Sequence, residues 1–310
     1  MSVLILGATG FAGQNILKIF TGRGIKVTAS SKSLGLDLLD LSAVKAFFQK
    51  EQPDYIINCA AHVGSLNYVT HHAADVIVDN SRMLLNLYEA VAALDKKPVV
   101  INPVANCAYP ATSTTFVEEE WWNGPLHRSV MAYGSTRRLM WSIGESFLWQ
   151  HNIQSVYLLV PNMYGSFDST DPNKAHALNA LVSKFVKAEK EDKKEIEIWG
   201  TGVAIREWLY AEDFGKVLYE VVTNKTLKGL SEPVNIAQNF GLSVRELVAI
   251  INGYFDNQFT IKWDETMPDG APRKVMDDRR FSKVFPGFKF QDFERGIFNV
   301  INYYKSIYPY

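Results

Sequence analysis

The hydrophobic and polar positions of the first half of the chain alternate between short apolar runs and longer segments with helical periodicity. Short apolar runs predict buried strands, and apolar residues that recur at helical spacing predict helices between them. The predicted strands are residues 3–6, 26–29, 55–57, 99–101 and 155–160, and the predicted helices are residues 14–20, 41–50, 74–94 and 130–151. This alternation favours βαβ units and a parallel, doubly wound sheet.

The alternation stops after Pro161. The elements predicted beyond it are a loop at residues 165–173, a helix through the lysine-rich residues 184–194, a strand at 197–199 and a helix at 212–223. The sequence therefore predicts an α/β protein. A Rossmann-type doubly wound parallel sheet occupies residues 1–160, and a smaller C-terminal substrate domain occupies residues 161–310, with some segments returning to the sheet.

Composition narrows the class of protein. A hydrophobic content of 47% over 310 residues is typical of a folded chain with a sizeable core. The net charge of -1 gives no general attraction to nucleic acid or to a membrane surface. The two cysteines, Cys59 and Cys107, form no disulfide framework and no zinc motif. No metal site is expected, and the chain is expected to be cytoplasmic because neither a signal peptide nor a long apolar segment is evident.

A glycine-rich loop follows the first predicted strand. Gly7, Gly10 and Gly13 stand between that strand and the first helix. Glycines at this spacing allow a tight turn and a close approach of a pyrophosphate, and the helix N-terminus supplies free N–H groups for the phosphates. The loop therefore predicts a dinucleotide site.

The end of the second predicted strand indicates which dinucleotide binds. An acidic residue there would bind the ribose hydroxyls of NAD, but the sequence from Thr28 is TASSKS. Ser30, Ser31 and Lys32 supply two hydroxyls and one cation, which suit a 2′-phosphate better. NADP(H) is therefore the expected cofactor.

Tyr133 and Arg137 lie one turn apart on the predicted helix 130–151. A phenol with a cation at this spacing is the arrangement of a hydride-transfer site, where the cation lowers the pKa of the phenol. The arginine keeps the positive field but stays protonated, so it cannot relay a proton. Arg138 is a possible substitute, although it points about 100 degrees away around the helix.

The chain resembles the extended short-chain dehydrogenase/reductases, and among them the GDP-L-fucose synthase family of 3,5-epimerase/4-reductases. The segments that carry the resemblance are GATGFAG, SSKSLGLDLLD, AAHVGSLNYVTHHAADVIVDN, NCAYP, WWNGPLHRSVMAYGSTRR, PNMYGSFDSTDPNKAHALNALVSKF, IWGTGVAIREWLYAEDF and PDGAPRK. They follow one another in the family's order over nearly the whole chain.

The resemblance implies a second catalytic pair. Cys107 and His176 match the acid and base that epimerise carbons beside the keto group. Two departures affect the reductive half of the site. Ala105 stands where the family has a Ser or Thr hydroxyl donor, and Arg137 replaces the usual Lys. Asn106 is a candidate replacement for the missing donor.

The resemblance also assigns binding residues. Those expected at the cofactor, in addition to the three glycines and to Ser30, Ser31 and Lys32, are Phe11, Asp37, Ala60 and Ala61. Those expected at the substrate are Asn162, Lys184, Trp199, Arg206, Asp269 and Arg273. Among them, the Trp ring offers a stacking face for the base, and the Arg206 guanidinium offers bidentate phosphate contacts.

The expected function is that of an NADP-dependent epimerase/reductase acting on a GDP-linked 4-keto-6-deoxy sugar. One alternative is an epimerase of the same substrates without efficient reduction, because both departures weaken reduction alone. Another is a non-catalytic cofactor-binding protein. Family members pair through a four-helix bundle, so a homodimer through helices 74–94 and 130–151 is also expected.

Overall fold

The computed structural model describes residues 1–171, 174–227, 229–230, 232–267 and 269–310. Its strands are β1 (Ser2–Leu6), β2 (Lys26–Ser30), β3 (Tyr55–Asn58), β4 (Val99–Ala105), β5 (Ser155–Val160), β6 (Asn162–Tyr164), β7 (Glu195–Trp199), β8 (Ile205–Tyr210), β9 (Val234–Asn235), β10 (Gly241–Ser243), β11 (Thr260–Asp264) and β12 (Arg273–Lys274). Its helices are α1 (Phe11–Gly22), α2 (Leu41–Glu51), α3 (Leu66–His71), α4 (Ala73–Ala92), α5 (Met131–His151), α6 (Ala177–Lys190), α7 (Ala211–Thr223), α8 (Val244–Gly253), α9 (Arg279–Val284) and α10 (Phe293–Ile307). Among these residues, no helix combines the length and the apolar composition needed to cross a membrane.

Within the described residues, six parallel strands form the central sheet in the order β2-β1-β3-β4-β5-β9. The chain first places β2 on one side of β1 and then places β3 on the other side, so the strand order reverses at β1. In open α/β sheets a crevice forms at such a reversal, beyond the carboxyl ends of the strands, and ligands bind there. The predicted Rossmann-type parallel sheet is confirmed.

Side chains of the central strands alternate between two helical layers, as the two-residue period of a strand requires. On β1, Leu4 and Leu6 belong to the apolar cluster that contains side chains of α2, α4 and α5. Val3 and Ile5 belong to the cluster on the other face, with side chains of α1 and α7. All four are at most 1% exposed, and burying each contributes roughly 2 kcal/mol.

A third apolar cluster lies in the second half of the chain, where α6, α8 and α10 pack with β7 and β8. There β8 pairs in parallel with β6 and β12 and antiparallel with β10, and β7 pairs in parallel with β11. The short β9 comes from this half but joins the central sheet beside β5. The domain boundary near residue 160 stays a prediction.

Two predicted elements differ from the structure. The helix expected through residues 184–194 ends at Lys190, because Asp192 adopts a left-handed conformation (φ 52°) and the chain then enters β7. The helix α3, before α4, was not predicted from the sequence. In the predicted loop 165–173, residues 165–171 form neither helix nor strand, and residues 172–173 lie outside the described residues.

A buried carboxylate joins β8 to two later segments. Glu207 is 1% exposed, and its oxygens accept hydrogen bonds from the backbone N–H groups of Gln238 and Met276, each at 2.7 Å. Burial raises the pKa of the Glu207 carboxyl to about 7, although these hydrogen bonds oppose the shift. Because this pKa is higher in the folded chain than in the unfolded chain, the folded state loses stability as the pH rises through about 5 to 7.

As the pH rises from about 5 to about 8, we therefore expect the ionisation of Glu207 to lower the free energy of unfolding by about 1–3 kcal/mol. Urea unfolding at several pH values, for the unmodified chain and for Glu207→Gln, measures this contribution. The variant keeps one of the two acceptor oxygens and does not titrate, so the slopes of the unfolding free energy against pH are compared. Identical slopes for the two proteins would contradict the prediction.

Candidate active site

The glycine loop packs against the backbone at the end of β3. Gly7 has a φ of +74°, and a Cβ there would lie 2.8 Å from the backbone N of Ala60. A Cβ on Gly13 would lie 2.3 Å from the carbonyl oxygen of Gly7. Gly10 caps α1 without a side-chain hydrogen bond, so the first N–H groups of the helix, starting at Phe11, face the crevice without a capping group. A pyrophosphate fits this cradle.

Hydroxyl groups gather at the carboxyl end of β2. The Ser31 and Ser33 hydroxyls are 2.9 Å apart, and the Thr9 hydroxyl lies 3.1 Å from that of Ser33. Lys32 is exposed, and its ammonium lies 2.8 Å from the Asp37 carboxylate. Ser30 is only 2% exposed. The three hydroxyls and the ammonium can surround a phosphate, and Asp37 holds the ammonium beside them.

Ala61 follows Ala60 in the partly buried segment after β3. The next residue, His62, is held by α4, because its N–H donates to Oδ1 of Asn80 at 3.1 Å and its carbonyl accepts from Nδ2 of Asn80 at 2.8 Å. This segment forms the wall of the crevice beside the glycine loop, since the backbone N of Ala60 packs against Gly7. Its position therefore depends on Asn80.

Arg137 is 3% exposed and is held by two contacts. Its guanidinium carbon lies 4.7 Å from the centre of the Tyr133 ring, and its Nη2 donates to Oδ1 of Asn80 at 3.1 Å. Its Nε is buried and has no hydrogen-bond partner among the described residues. Arg137 thus connects the Tyr133 ring to the wall that Asn80 supports.

Tyr133 and Cys107 share one electrostatic environment. Burial raises the pKa of the Tyr133 phenol, while the Arg137 charge opposes this rise and the nearby Cys107 thiol adds to it. Burial also raises the pKa of the Cys107 thiol to about 11, and the charges of Lys274 and Arg137 oppose that shift. Near neutral pH both groups therefore carry their protons and are available as acids.

The backbone brings α5 close to Cys107. A Cβ on Gly134 would lie 2.7 Å from the Cys107 carbonyl oxygen, so only glycine fits beside Tyr133 on this side. Cys107 lies in a single 3₁₀ turn, Asn106–Ala108, directly after β4 ends at Ala105. The Nδ2 group of Asn106 is buried and has no hydrogen-bond partner within the described residues. A hydrogen-bond donor is therefore available one residue after Ala105.

His176 is positioned by a buried carboxylate. Its Nδ1 lies 2.9 Å from Oδ1 of Asp168, and its backbone N–H donates to Oδ2 of Asp168 at 2.8 Å. The Asp168 side chain is 2% exposed, whereas that of His176 is 39% exposed. The His176 ring also lies 4.8 Å from the Phe11 ring at the start of α1. With Nδ1 facing the carboxylate, Nε2 is the nitrogen left for a ligand.

A cavity of about 720 Å³ opens beside β7 and α6. Five of the six predicted substrate-binding residues line it, namely Asn162, Lys184, Trp199, Arg206 and Asp269. Trp199 is 63% exposed, which leaves its ring face available for stacking. Burial lowers the pKa values of Lys184 and Arg206, yet both remain cations near neutral pH. Lys187 and Lys193 also line the cavity, which therefore offers an aromatic face together with four cationic side chains.

Asp269 organises the turn after Trp199. Its Oδ1 accepts the N–H of Thr201 at 2.8 Å, and its Oδ2 accepts the Thr201 hydroxyl at 2.6 Å. Its backbone carbonyl accepts from Arg206 at 3.0 Å. The carboxylate therefore positions this turn and Arg206 at the edge of the cavity.

Arg273 and Lys274 occupy β12, where neighbouring side chains face opposite ways. Arg273 is exposed and is not among the residues that line the cavity. Lys274 is partly buried, is paired in register with Arg206, and interacts electrostatically with Cys107. Of the two cations in PDGAPRK, Lys274 and not Arg273 is therefore the one that reaches the interior.

Arg138 does not take the place of the missing lysine. Its guanidinium donates to the carbonyl oxygens of Ala108, Gly124 and Trp121 at 2.8, 2.8 and 3.0 Å. These bonds hold the loop that leads to α5. The prediction that Arg138 could substitute for the lysine is therefore wrong.

The comparison with known families agrees with this geometry. The family described as NAD dependent epimerase/dehydratase matches residues 3–237. The chain belongs to the NAD dependent epimerase/dehydratase family. This confirms the resemblance that the motifs indicated.

Individual relatives match over most of their length. The chain is 28% identical to GDP-L-colitose synthase of Yersinia pseudotuberculosis, with 98% of both chains covered. It is 27% identical to probable GDP-L-fucose synthase 1 of Oryza sativa subsp. japonica, with 91% of this chain and 85% of that protein covered. Its fold is similar to the crystal structure of a GDP-L-fucose synthetase from Naegleria fowleri bound to NADP, with a TM-score of 0.87 and 22% identity over 99% of this chain and 94% of that one.

Several residues at this family site were missed from the sequence. Thr9, Ser33, Asn80, Asp168 and Lys274 all contact or influence predicted site residues. Thr9 and Ser33 had a local signal, since they lie within the glycine loop and TASSKS. Asn80 and Lys274 are distant in sequence from the groups they influence, so no spacing pattern indicates them.

Proposed function

We propose that the chain is an NADP-dependent epimerase/reductase acting on a GDP-linked 4-keto-6-deoxy sugar. The observation that carries the proposal is the close approach of α5 to Cys107 at Gly134, beside Tyr133, where the Arg137 charge acts on both the Cys107 thiol and the Tyr133 phenol. An acid for epimerisation and an acid for reduction thereby share one space. The names of the relatives, GDP-L-fucose and GDP-L-colitose synthases, support a GDP-linked sugar.

The cofactor cradle fits NADP(H). The backbone at Gly7 and Gly13 leaves no room for a side chain but accommodates a pyrophosphate beside the N-terminus of α1. The Ser31 hydroxyl and the Lys32 ammonium would bind the 2′-phosphate, together with Ser33. When bound, the nicotinamide supplies the hydride that reduces the keto carbon.

Epimerisation needs a base and an acid at the carbons next to the ketone. In the proposed mechanism, Nε2 of His176 removes a proton from such a carbon, because Nδ1–H donates a hydrogen bond to Asp168 and leaves the Nε2 lone pair free. The Cys107 thiol returns a proton to the other face. A thiol with a pKa of about 11 holds its proton until the sugar carbon takes it.

In the proposed reduction, Tyr133 delivers a proton to the keto oxygen as the hydride reaches the carbon. The Arg137 charge stabilises the resulting phenolate, since it lies over the same ring. The buried Nδ2 of Asn106 is the proposed donor to the keto oxygen in place of the hydroxyl absent at Ala105. The guanidinium itself relays no proton.

The second candidate is an epimerase that reduces its product inefficiently. The observation that favours it is that the Arg137 guanidinium is hydrogen-bonded to Asn80. It therefore does not relay a proton to Tyr133 as a lysine would. Both candidates share the substrate and the epimerisation step. They differ only in whether NADPH is consumed.

One experiment tests these proposals. The purified chain is incubated with a GDP-4-keto-6-deoxy sugar in D₂O, with and without NADPH, and deuterium incorporation and NADPH absorbance are followed. The proposed function predicts both signals. Deuterium exchange without NADPH oxidation supports the second candidate, and the absence of both signals refutes both candidates.

We expect Arg137→Lys to raise the rate of NADPH oxidation relative to deuterium exchange by about tenfold, because an ammonium can relay a proton to the phenol. The ratio of the two initial rates in the same D₂O assay is the measurement. Arg128→Lys, an exposed position just before α5, is the control. An unchanged ratio in Arg137→Lys would show that Arg137 does not limit reduction.

We further propose a homodimer formed through α4 and α5. Apolar side chains on both helices are exposed in the single chain, namely Ile77, Val78 and Leu85 on α4 and Met131, Leu139 and Trp149 on α5. Trp149, at 81% exposure, is the largest of these. Light scattering is expected to give about twice the chain mass of 35.0 kDa, and a Trp149→Glu variant to shift it toward the monomer.

A further inference from the structure

The 720 Å³ cavity contains carboxylates that binding of a diphosphate does not explain. Besides Asp269, three glutamates line it, namely Glu191, Glu195 and Glu197, together with the cations Lys184, Lys187, Lys193 and Arg206. A carboxylate repels a diphosphate, and the repulsion is strongest where water is excluded. Such a group favours a ligand only if the ligand also presents hydrogen-bond donors to it.

Of the four carboxylates that line the cavity, Asp269 accepts hydrogen bonds from Thr201, and two of the three glutamates are paired with ammonium groups. Glu191 lies 2.6 Å from the Lys193 ammonium, and Glu195 lies 3.4 Å from the Lys262 ammonium. Within the described part of the chain, no ion pair within 4.0 Å engages the carboxylate of Glu197. Glu197 is therefore the carboxylate of this cavity that is available to a ligand.

The alternation of β7 places Glu197 next to the stacking face. Ile196 and Ile198 point into the core, whereas Glu195, Glu197 and Trp199 are exposed on the opposite face. Residues two apart on a strand are separated by roughly 6.6 Å, which is comparable to the length of a purine. A base stacked on Trp199 would thus have its edge within reach of Glu197.

The neighbouring cation is oriented by the backbone of the same strand. Nζ of Lys184 donates to the carbonyl oxygen of Glu197 at 2.6 Å. The ammonium thereby stays beside the strand, while Arg206 is held through Asp269. Positive charge for the phosphates and an acceptor for the base are provided side by side.

We propose that Glu197 is the residue that selects guanine. Its two carboxylate oxygens accept the N1–H and the N2 amino group, the adjacent donor pair on the Watson–Crick edge of guanine. Hypoxanthine keeps N1–H but lacks the amino group, and uracil has a single N–H between two carbonyl oxygens. The inference rests on the proposed function, because it requires a nucleotide-linked substrate in this cavity.

The test uses the full chain and measures dissociation constants for GDP, IDP and UDP by calorimetry. For the unmodified chain we expect GDP to bind about tenfold more tightly than IDP, and UDP to bind more weakly than GDP. Glu197→Gln is expected to bring the GDP-to-IDP ratio close to one. Glu195→Gln, on the same face of β7 and in the same cavity, is the matched control and should keep the ratio.

The outcomes separate the inference from the proposed function. If the unmodified chain prefers GDP to UDP but Glu197→Gln keeps the preference for GDP over IDP, Glu197 is not the selecting residue and the proposed function stands. A uniform loss of affinity for all three nucleotides with an unchanged ratio overturns the inference equally. If the unmodified chain shows no preference for GDP, both the guanine-linked substrate and the role of Glu197 are refuted. NADPH affinity, expected to be unchanged in both variants, reports on folding.

Discussion

Replacing Tyr133 with phenylalanine is expected to lower NADPH oxidation by the keto sugar by about a thousandfold while deuterium exchange persists. The change removes one oxygen and leaves the ring, so the contact with the Arg137 guanidinium 4.7 Å from the ring centre is kept. Reduction loses its proton donor. Epimerisation keeps its acid and base, because Cys107 and His176 are untouched.

Initial rates of both signals in the same D₂O assay measure the effect. The melting temperature and the NADPH affinity of Tyr133→Phe should match those of the unmodified chain. If deuterium exchange falls in parallel with NADPH oxidation, Tyr133 acts in both half-reactions and the assignment of separate acids is wrong. If NADPH oxidation persists, another group protonates the keto oxygen.

Replacing Cys107 with alanine is expected to lower deuterium exchange by about 10² to 10³-fold. In the proposed mechanism the thiol supplies the proton on the face opposite His176, and its pKa of about 11 means that it normally carries that proton. Alanine removes the Sγ atom and supplies no proton. Reduction of a sugar that needs no epimerisation should continue, since Tyr133 remains.

The chain contains its own control for this experiment. Cys59 is the other free cysteine, and burial raises the pKa of its thiol to about 12. Cys59→Ala removes a buried thiol of similar character from the end of β3 and should keep deuterium exchange within a few-fold. Equal losses in the two variants would show that exchange depends on packing around the crevice and not on a specific acid.

The sequence predicted the central sheet well because its signals are local. Buried parallel strands are short continuous apolar runs, and residues 155–160 were predicted with the bounds that β5 has. The glycine loop was equally clear, because Gly7 and Gly13 are required by backbone contacts within a few residues or with the adjacent strand. The elements that were predicted wrongly are α3 and the end of α6. Both depend on turn geometry, which the spacing of apolar residues does not indicate.

The candidate site was predicted in part. The sequence and its family resemblance named Tyr133, Cys107 and His176, and the structure places Tyr133 and Cys107 in one environment. The sequence did not indicate Asp168, which bonds to Nδ1 of His176 and so leaves Nε2 for a ligand. The motif contained this carboxylate, but nothing in the spacing distinguished it from the other polar residues of the loop.

What the sequence by itself determined is the class of the chain: the parallel sheet, the dinucleotide loop and the presence of Arg at position 137. What Arg137 does was decided only by the tertiary structure. Its partner, Asn80, comes from α4, and the two side chains meet because α4 and α5 pack against the same face of the sheet. Arg137 and Arg138 are adjacent in sequence and chemically identical, yet one faces Tyr133 and the other anchors the loop before α5. A hydrogen bond or a charge interaction depends on distance through space, and sequence spacing fixes that distance only within a single helix or strand.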